Sequence, residues 1–326
     1  MSVVRLAVAA AIAAAGLLGQ PAWADPLRQG EAMAWLEKVA GAPRRVNFAG
    51  VFVYQHGGVV ETSRIVHLVD ASGEHEKLET LDGPKREVIR TNDAVVTFFP
   101  DTRTVRAERR KSRRAFPALL PEQLHSIADY YVVQKGEQER IAGVETQALL
   151  LSPKDNLRYG HKFWADVGTG LLVKAKMFGE NNFVIEQFAF TQLTINPPIT
   201  REDVKPSFDP AAANWRTDEV TSTEVESVWE FVSQPAGFRK VMEMRRSKDG
   251  GTESGLTHIV LSDGLAAVSV FIEPAGDRKK LQEGPSARGT INIYTRLLDD
   301  QRVTVLGEAP ADTVMKVARS ITRRSR

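Results

Sequence analysis

From Asn47 onward the hydrophobic period of this chain is two, and a turn signal breaks it about every eight to twelve residues, which restricts the fold to antiparallel sandwiches, barrels and their open relatives. Phe48, Gly50, Phe52 and Tyr54 alternate with Ala49, Val51 and Val53. Both sets are apolar or small, so this strand needs cover on each side. Gln55-His56-Gly57-Gly58 then turns the chain into a returning strand over 62–69. Ala71-Ser72-Gly73-Glu74, Asp82-Gly83-Pro84, Asn92-Asp93 and Pro100-Asp101 separate further strands over 75–81, 86–91, 94–99 and 104–109. Strands resume over 131–134, 144–151, 159–165, 171–178 and 183–193. One helix precedes the pattern and a second interrupts it. Met33, Leu36 and Val39-Ala40 recur at helical spacing before Gly41-Ala42-Pro43, and Pro121 opens a segment carrying Leu124, Ile127 and Ala128. The expectation is a mainly β, α+β fold in which one strongly curved antiparallel sheet holds helices in its concavity.

A boundary follows at Asn196-Pro197-Pro198. Residues 200–218 are rich in proline, charge and alanine without periodicity, and read as a linker between units at 25–199 and 219–326. The second unit is smaller and also β-rich, with strands over 225–232, 240–246, 257–262, 266–273, 289–297 and 302–306. Pro310 opens a closing helix whose Val314, Val317-Ala318 and Ile321 share a face, while the polar stretch 275–288 reads as a mobile loop.

The N-terminus carries its own message. Arg5, an apolar run over 6–19, Pro21 and Ala22-Trp23-Ala24 form the charged, apolar and small-x-small regions of a secretory signal peptide over 1–24. The run is short for a bilayer span. The chain has no cysteine, so lipoprotein anchoring, disulfides and thiolate chemistry are excluded. Lysines and arginines total 43 against 41 acidic residues, and nothing global favours nucleic acid.

Motifs for chemistry are missing in the contexts they require. None of the six histidines stands four residues from another with an intervening glutamate, and there is no H-x-H. His67 and His75 face each other across a turn at best, and His56 sits in a turn and reads as a surface residue. Gly168-Thr169-Gly170 lies between strands, whereas a dinucleotide fingerprint must open a helix. The expectation is a binding protein with no catalytic residues, no metal and no cofactor.

One local feature stands apart. Arg103, Arg106, Arg109, Arg110, Lys111, Arg113 and Arg114 fall within twelve residues, offset only by Glu108. Two readings stand side by side. One is a solvated loop or an edge strand protected by charge. The other is contact with an anion, a lipid phosphate or an acidic partner segment, through Arg106, Arg109, Arg110, Lys111, Arg113 and Arg114.

Asn47-Phe48-Ala49-Gly50 through Val53-Tyr54-Gln55-His56-Gly57-Gly58, then Arg64-Ile65-Val66-His67 and Leu81-Asp82-Gly83-Pro84, resemble the opening strands of the RseB/MucB family. Thr169-Gly170-Leu171-Leu172-Val173-Lys174 and Glu186-Gln187-Phe188-Ala189-Phe190-Thr191 continue the resemblance, as do Trp229, Pro235, Gly237-Phe238 and Ser262-Asp263-Gly264-Leu265-Ala266. It covers nearly the whole chain beyond the signal, in order. The resemblance implies a periplasmic regulator of the envelope stress response. It implies a large half-open β-barrel similar to the carriers LolA and LolB, followed by a smaller β domain. It further implies binding to the periplasmic part of a membrane anti-sigma factor (RseA or MucA type), shielding of that partner from site-1 proteolysis, and release by lipopolysaccharide or another acyl-chain ligand. Residues 275–288 and the tail Arg323-Arg324-Ser325-Arg326 match nothing in that family pattern.

Helices that shift off a curved sheet uncover an apolar pocket able to take acyl chains. Phe52, Tyr54, Phe98, Trp164, Phe188 and Phe190 are candidates to line it, with ordinary core as the alternative for each. A rival reading of the whole chain is a periplasmic lipid or lipoprotein carrier. A pure carrier has little use for a second domain. Self-association is left open by the sequence.

Overall fold

The computed structural model describes residues 29–109, 120, 124, 126–209, 215–219, 222–223, 228–246, 255–276 and 282–324. The signal peptide expected over 1–24 lies outside the described residues, as do Pro121 and most of the basic run: Arg110, Lys111, Arg113 and Arg114. No helix among the described residues is long and apolar enough to cross a membrane.

Helix α1 (Gln29–Gly41) leads into a meander of six strands: β1 (Phe48–His56), β2 (Val59–Asp70), β3 (Gly73–Thr80), β4 (Glu87–Thr91), β5 (Ala94–Phe99) and β6 (Thr104–Arg109). The short helix α2 (Ile127–Tyr130) precedes a second meander of β7 (Tyr131–Ile141), β8 (Val144–Pro153), β9 (Gly160–Asp166), β10 (Leu172–Phe178) and β11 (Val184–Ile195). Antiparallel pairing of β1 with β11 joins the two meanders, from Phe48 opposite Ile195 to His56 opposite Glu186. With β12 (Arg216–Glu219) the sheet has twelve strands, in the order β12-β6-β5-β4-β3-β2-β1-β11-β10-β9-β8-β7.

Alternation along these strands sends every second side chain to the face that carries the helices. Leu36 and Val39 of α1, Leu124 and the first residue of α2, Ile127, meet Phe48, Phe52, Ile65, Leu149, Leu151, Phe163, Phe188 and Phe190 there, all buried. Each such side chain contributes about 1.5–3 kcal/mol relative to exposure. Strand β7 runs past residue 134, where the sequence pattern stops, because the register shifts between Lys135 and Gln138 and pairing resumes beyond it.

The second sheet has seven strands in the order β13-β15-β16-β17-β20-β19-β18. They are β13 (Ser222–Thr223), β15 (Arg239–Arg246), β16 (Leu256–Ser262), β17 (Ala267–Pro274), β18 (Gly284–Arg288), β19 (Ile291–Leu298) and β20 (Gln301–Gly307). Strand β14 (Trp229–Phe231) pairs with β21 (Ile321–Arg323). Between β20 and β21, helix α3 (Ala311–Ser320) starts at Pro310 and lays Val314, Val317 and Ala318 against Ile259, Val268, Val270, Val303 and Val305. That spacing is the apolar stripe of a surface helix.

Two expectations are corrected. Residues 275–288 are not loop throughout: Gly284–Arg288 is the edge strand β18, paired with β19 through a turn at Gly289, whose φ of +62° suits glycine. The stretch 200–218 is not a free linker over its described part. A 3-10 turn at Glu202–Val204, with Ser207, Phe208 and Trp215, straps the outer face of the large sheet, and β12 pairs parallel with β6. Arg201 binds Asp70 with Nε–Oδ2 at 2.5 Å and Nη2–Oδ1 at 2.8 Å, while Lys77 donates to Ser207 Oγ at 2.7 Å. Glu87 accepts the Ser207 backbone N–H at 2.8 Å. Proline and charge hide these anchors from a periodicity reading, because each is made with a strand far away in sequence.

Candidate binding surfaces: the covered sheet face and the seam between sheets

On the covered face Phe190 is the hub of an aromatic cluster, edge-on to Phe48 at 6.2 Å, Phe52 at 5.8 Å and Phe188 at 6.2 Å. Tyr54 packs against the same core from the rim. The structure therefore brings Phe52, Tyr54, Phe188 and Phe190 together, under α1 and α2. They are core in this arrangement, packed with α1 and α2.

Phe98 and Trp164 do not belong to this set. Directly paired residues share a face. Val51 pairs with Arg64, Arg64 with Glu79, Glu79 with Glu87 and Glu87 with Phe98, which places Phe98 opposite the Phe52 side. There it meets the strap, with Trp215 edge-on at 5.8 Å and Phe208 at 6.0 Å. Trp164 pairs with Lys174, Lys174 with Ala189 and Ala189 with Val53, again on the outer face. Both residues have apolar neighbours, Phe99 and Phe163, so strand parity could not be assigned from sequence.

Of the basic run, Arg106 is exposed on β6 with its guanidinium 5.7 Å from the Phe99 ring. Arg109 ends β6. His67 and His75 do not face each other. His67 points to the covered face, stacks on Phe48 at 4.6 Å and lies 2.7 Å from the Pro43 carbonyl oxygen, whereas His75 points outward to Arg201.

A polar seam that the sequence did not announce joins the two sheets. Arg158, in the turn before β9, sends Nη1 to Asp263 Oδ2 at 2.6 Å, and both side chains are fully buried. The same guanidinium donates to the Ala236 carbonyl at 2.5 Å and to Asp155 at 2.9 Å. It lies 4.6 Å from the Tyr130 ring, 5.8 Å from Tyr131 and 5.3 Å from Phe238. Tyr131 donates its hydroxyl to Asp263 at 3.2 Å, and burial followed by that carboxylate raises the phenol above its usual range. Asp263 Oδ1 accepts the backbone N–H groups of Leu265 and Ala266 at 2.9 and 2.8 Å. Gly237 is required here. Its φ is +82°, and a Cβ would come within 2.5 Å of the Tyr130 ring.

A second polar contact lies along the seam. His56, expected at the surface, is partly buried and contacts Glu308 through Nε2, with Thr290 Oγ1 at 2.9 Å from the same nitrogen. Glu186 stands opposite His56 in the β1–β11 register. Burial first, and then Glu308, push the Glu186 carboxyl up to about 8. Thr313 Oγ1 donates to the Leu157 carbonyl at 2.8 Å, and Asn292 Nδ2 reaches the Tyr159 hydroxyl at 3.3 Å. Arg158 and Asp263 stand 105 residues apart, so no local signal links them. The one sequence hint is the Ser262-Asp263-Gly264 turn.

Similarity to known proteins covers both sheets. Residues 31–208 match the family described as MucB/RseB N-terminal domain, and residues 223–322 match MucB/RseB C-terminal domain. The chain is 31% identical to the sigma factor AlgU regulatory protein MucB of Pseudomonas aeruginosa, over 94% of this chain and 95% of that one. It is 23% identical to the sigma-E factor regulatory protein RseB of Escherichia coli K12, over 88% and 89%. The solved complex of Pseudomonas aeruginosa MucA and MucB contains a chain that superposes with a TM-score of 0.71 at 27% identity, covering 91% of this chain and all of that one. A crystal structure of MucB with MucA(peri) gives 0.69 at 28% identity, with coverage of 90% and 100%.

Proposed function

The chain belongs to the MucB/RseB family, and from that premise we propose that it is a periplasmic regulator of a sigma factor that binds the periplasmic segment of a MucA-type anti-sigma protein. Bound there, it shields the segment from the site-1 protease and so keeps the sigma factor silent. A lipid-bearing ligand such as lipopolysaccharide favours the free form and releases the segment. The protein performs no chemistry of its own in this account.

The observation that carries the reading is full-length similarity, through both sheets, to a chain solved together with MucA. The seam supports it physically. With Arg158, Asp263, His56 and Glu308 holding the sheets together, a partner meets one continuous surface instead of two loosely tethered ones. The aromatic cluster under α1 and α2 is the region that an acyl chain would have to open, so ligand entry and helix displacement are one event.

The test is capture of the partner's periplasmic segment by residues 25–326, followed by site-1 cleavage of the captured segment with and without lipopolysaccharide. Capture, protection and lipid-dependent loss of both are expected. Lipid uptake without capture would replace this reading with a carrier.

A further inference from the structure

On the outer face of the large sheet, Lys162 of β9 and Lys174 and Lys176 of β10 surround one indole. Their Nζ atoms lie 4.5, 4.6 and 6.0 Å from the centre of the Trp164 ring, which is itself only 3% exposed. Cation–π attraction holds the ammonium groups there. The grouping is otherwise unfavourable. Lys162 and Lys176 are direct cross-strand partners, and like charges in that relation destabilise a sheet. Burial, then the neighbouring Lys176 and Lys162, outweigh Glu139 and hold Lys174 below the usual lysine range.

Local carboxylates neutralise the group only in part. Glu139 reaches Lys162 at 3.4 Å. Asp166, on the same face, is spent on its own turn, accepting the backbone N–H and the hydroxyl of Thr169 at 2.6 Å each. Among the described residues no ion pair joins Lys174 or Lys176 to a carboxylate within 4 Å.

Exposed apolar side chains stand at one end of the sheet, and one of them, Val60, lies on the lysine face. Lys176 pairs with Gln187, Gln187 with Gln55, and Gln55 with Val60. Val60 is 56% exposed on that face, and at the same end of the sheet Val59, which points to the other face, is 69% exposed and Phe183 in the turn before β11 66%. The Gly57 N–H donates to the Ile185 carbonyl at 3.3 Å, so the β1–β2 and β10–β11 ends lie side by side.

We propose that this face docks on an anionic lipid surface, with Lys162, Lys174 and Lys176 against phosphate head groups and Val60 and Phe183 entering the interfacial layer. Lysine suits that role, because its ammonium is a compact point charge that meets phosphates without a fixed partner geometry. The lysines stand on a sheet face with apolar side chains at its end, and that combination favours a membrane interface over a single acidic peptide. Docking here uses the face opposite the helices, so it is separate from any acyl ligand entering beneath them. It also places the protein where a membrane-anchored partner would be.

The test is sedimentation of residues 25–326 with phosphatidylcholine vesicles, with and without phosphatidylglycerol, at low and physiological salt. Binding only to the anionic vesicles, weakened by salt, is expected. Each lysine near an anionic surface contributes about 1 kcal/mol, so Lys174→Gln with Lys176→Gln lowers partitioning about 30-fold. Phe183→Ser lowers it further without altering the salt dependence. Circular dichroism melts verify that the variants fold. Polyglutamate serves as a soluble acidic probe. Four results would overturn the proposal: no vesicle binding, equal binding to neutral vesicles, unchanged binding of the lysine variant, or polyglutamate binding without vesicle binding.

Discussion

Asp263→Ala is the sharpest perturbation of the seam. The wild-type carboxylate receives Arg158 at 2.6 Å, the Tyr131 hydroxyl at 3.2 Å, and the N–H groups of Leu265 and Ala266 at 2.9 and 2.8 Å. Removing it leaves a guanidinium with no exposed side-chain surface facing an apolar methyl. Stripping one partner from a buried ion pair costs about 3–5 kcal/mol. Arg158 keeps Asp155 and the Ala236 carbonyl, so the lower end, about 3 kcal/mol, is expected here. The paired change Arg158→Met with Asp263→Ala removes both charges, and its expected cost is below about 2 kcal/mol. The assay is urea unfolding followed by tryptophan fluorescence and circular dichroism. The seam couples two hydrophobic cores, so Asp263→Ala is expected to separate one transition into two, the less stable core melting first. A cost within about 0.5 kcal/mol, with a single unshifted transition, would refute the claim that this pair joins the sheets.

Three further outcomes are expected. Glu186 is held protonated up to about 8 against an ordinary value of 4.5, so the unfolded chain ionises first as pH rises. Its contribution to stability is undiminished at low pH and falls through that window, and Glu186→Gln flattens the stability–pH curve and raises stability at pH above 8 by a few kcal/mol in urea titrations. Phe208→Ala loosens the strap from Phe98 and Trp215 and costs about 1–2 kcal/mol, less than a core phenylalanine because Phe208 is partly exposed. Hydrogen exchange in β5 and β6 should rise first. Replacing Arg106, Arg109, Arg110, Arg113 and Arg114 with serine weakens partner capture or lipid-driven release; unchanged affinity in both assays would return the run to a solvated surface.

Much of the architecture was legible in the sequence because alternation and turn chemistry are local. The Gly57-Gly58, Asn92-Asp93 and Thr169-Gly170 turns separate the strands they were expected to separate. The failures have physical causes. Phe98 and Trp164 each adjoin another aromatic, and a strand that is apolar at consecutive positions does not reveal which side chain faces the helices. The strap lacks periodicity because it is anchored by separate contacts, Arg201 to Asp70 and Phe208 to Phe98, each to a distant strand. The seam was invisible for the same reason: Arg158 and Asp263 look like ordinary turn residues until the sheets are packed. His56 was misjudged because a hairpin end becomes an interface only when Glu308 arrives from the other sheet.

The central claim is that this chain holds and shields the periplasmic segment of a MucA-type partner. The most direct measurement is the rate of site-1 cleavage of that segment, with and without residues 25–326 at saturating concentration. The account predicts strong slowing that lipopolysaccharide reverses. Cleavage at the unprotected rate while the segment is demonstrably bound would contradict it.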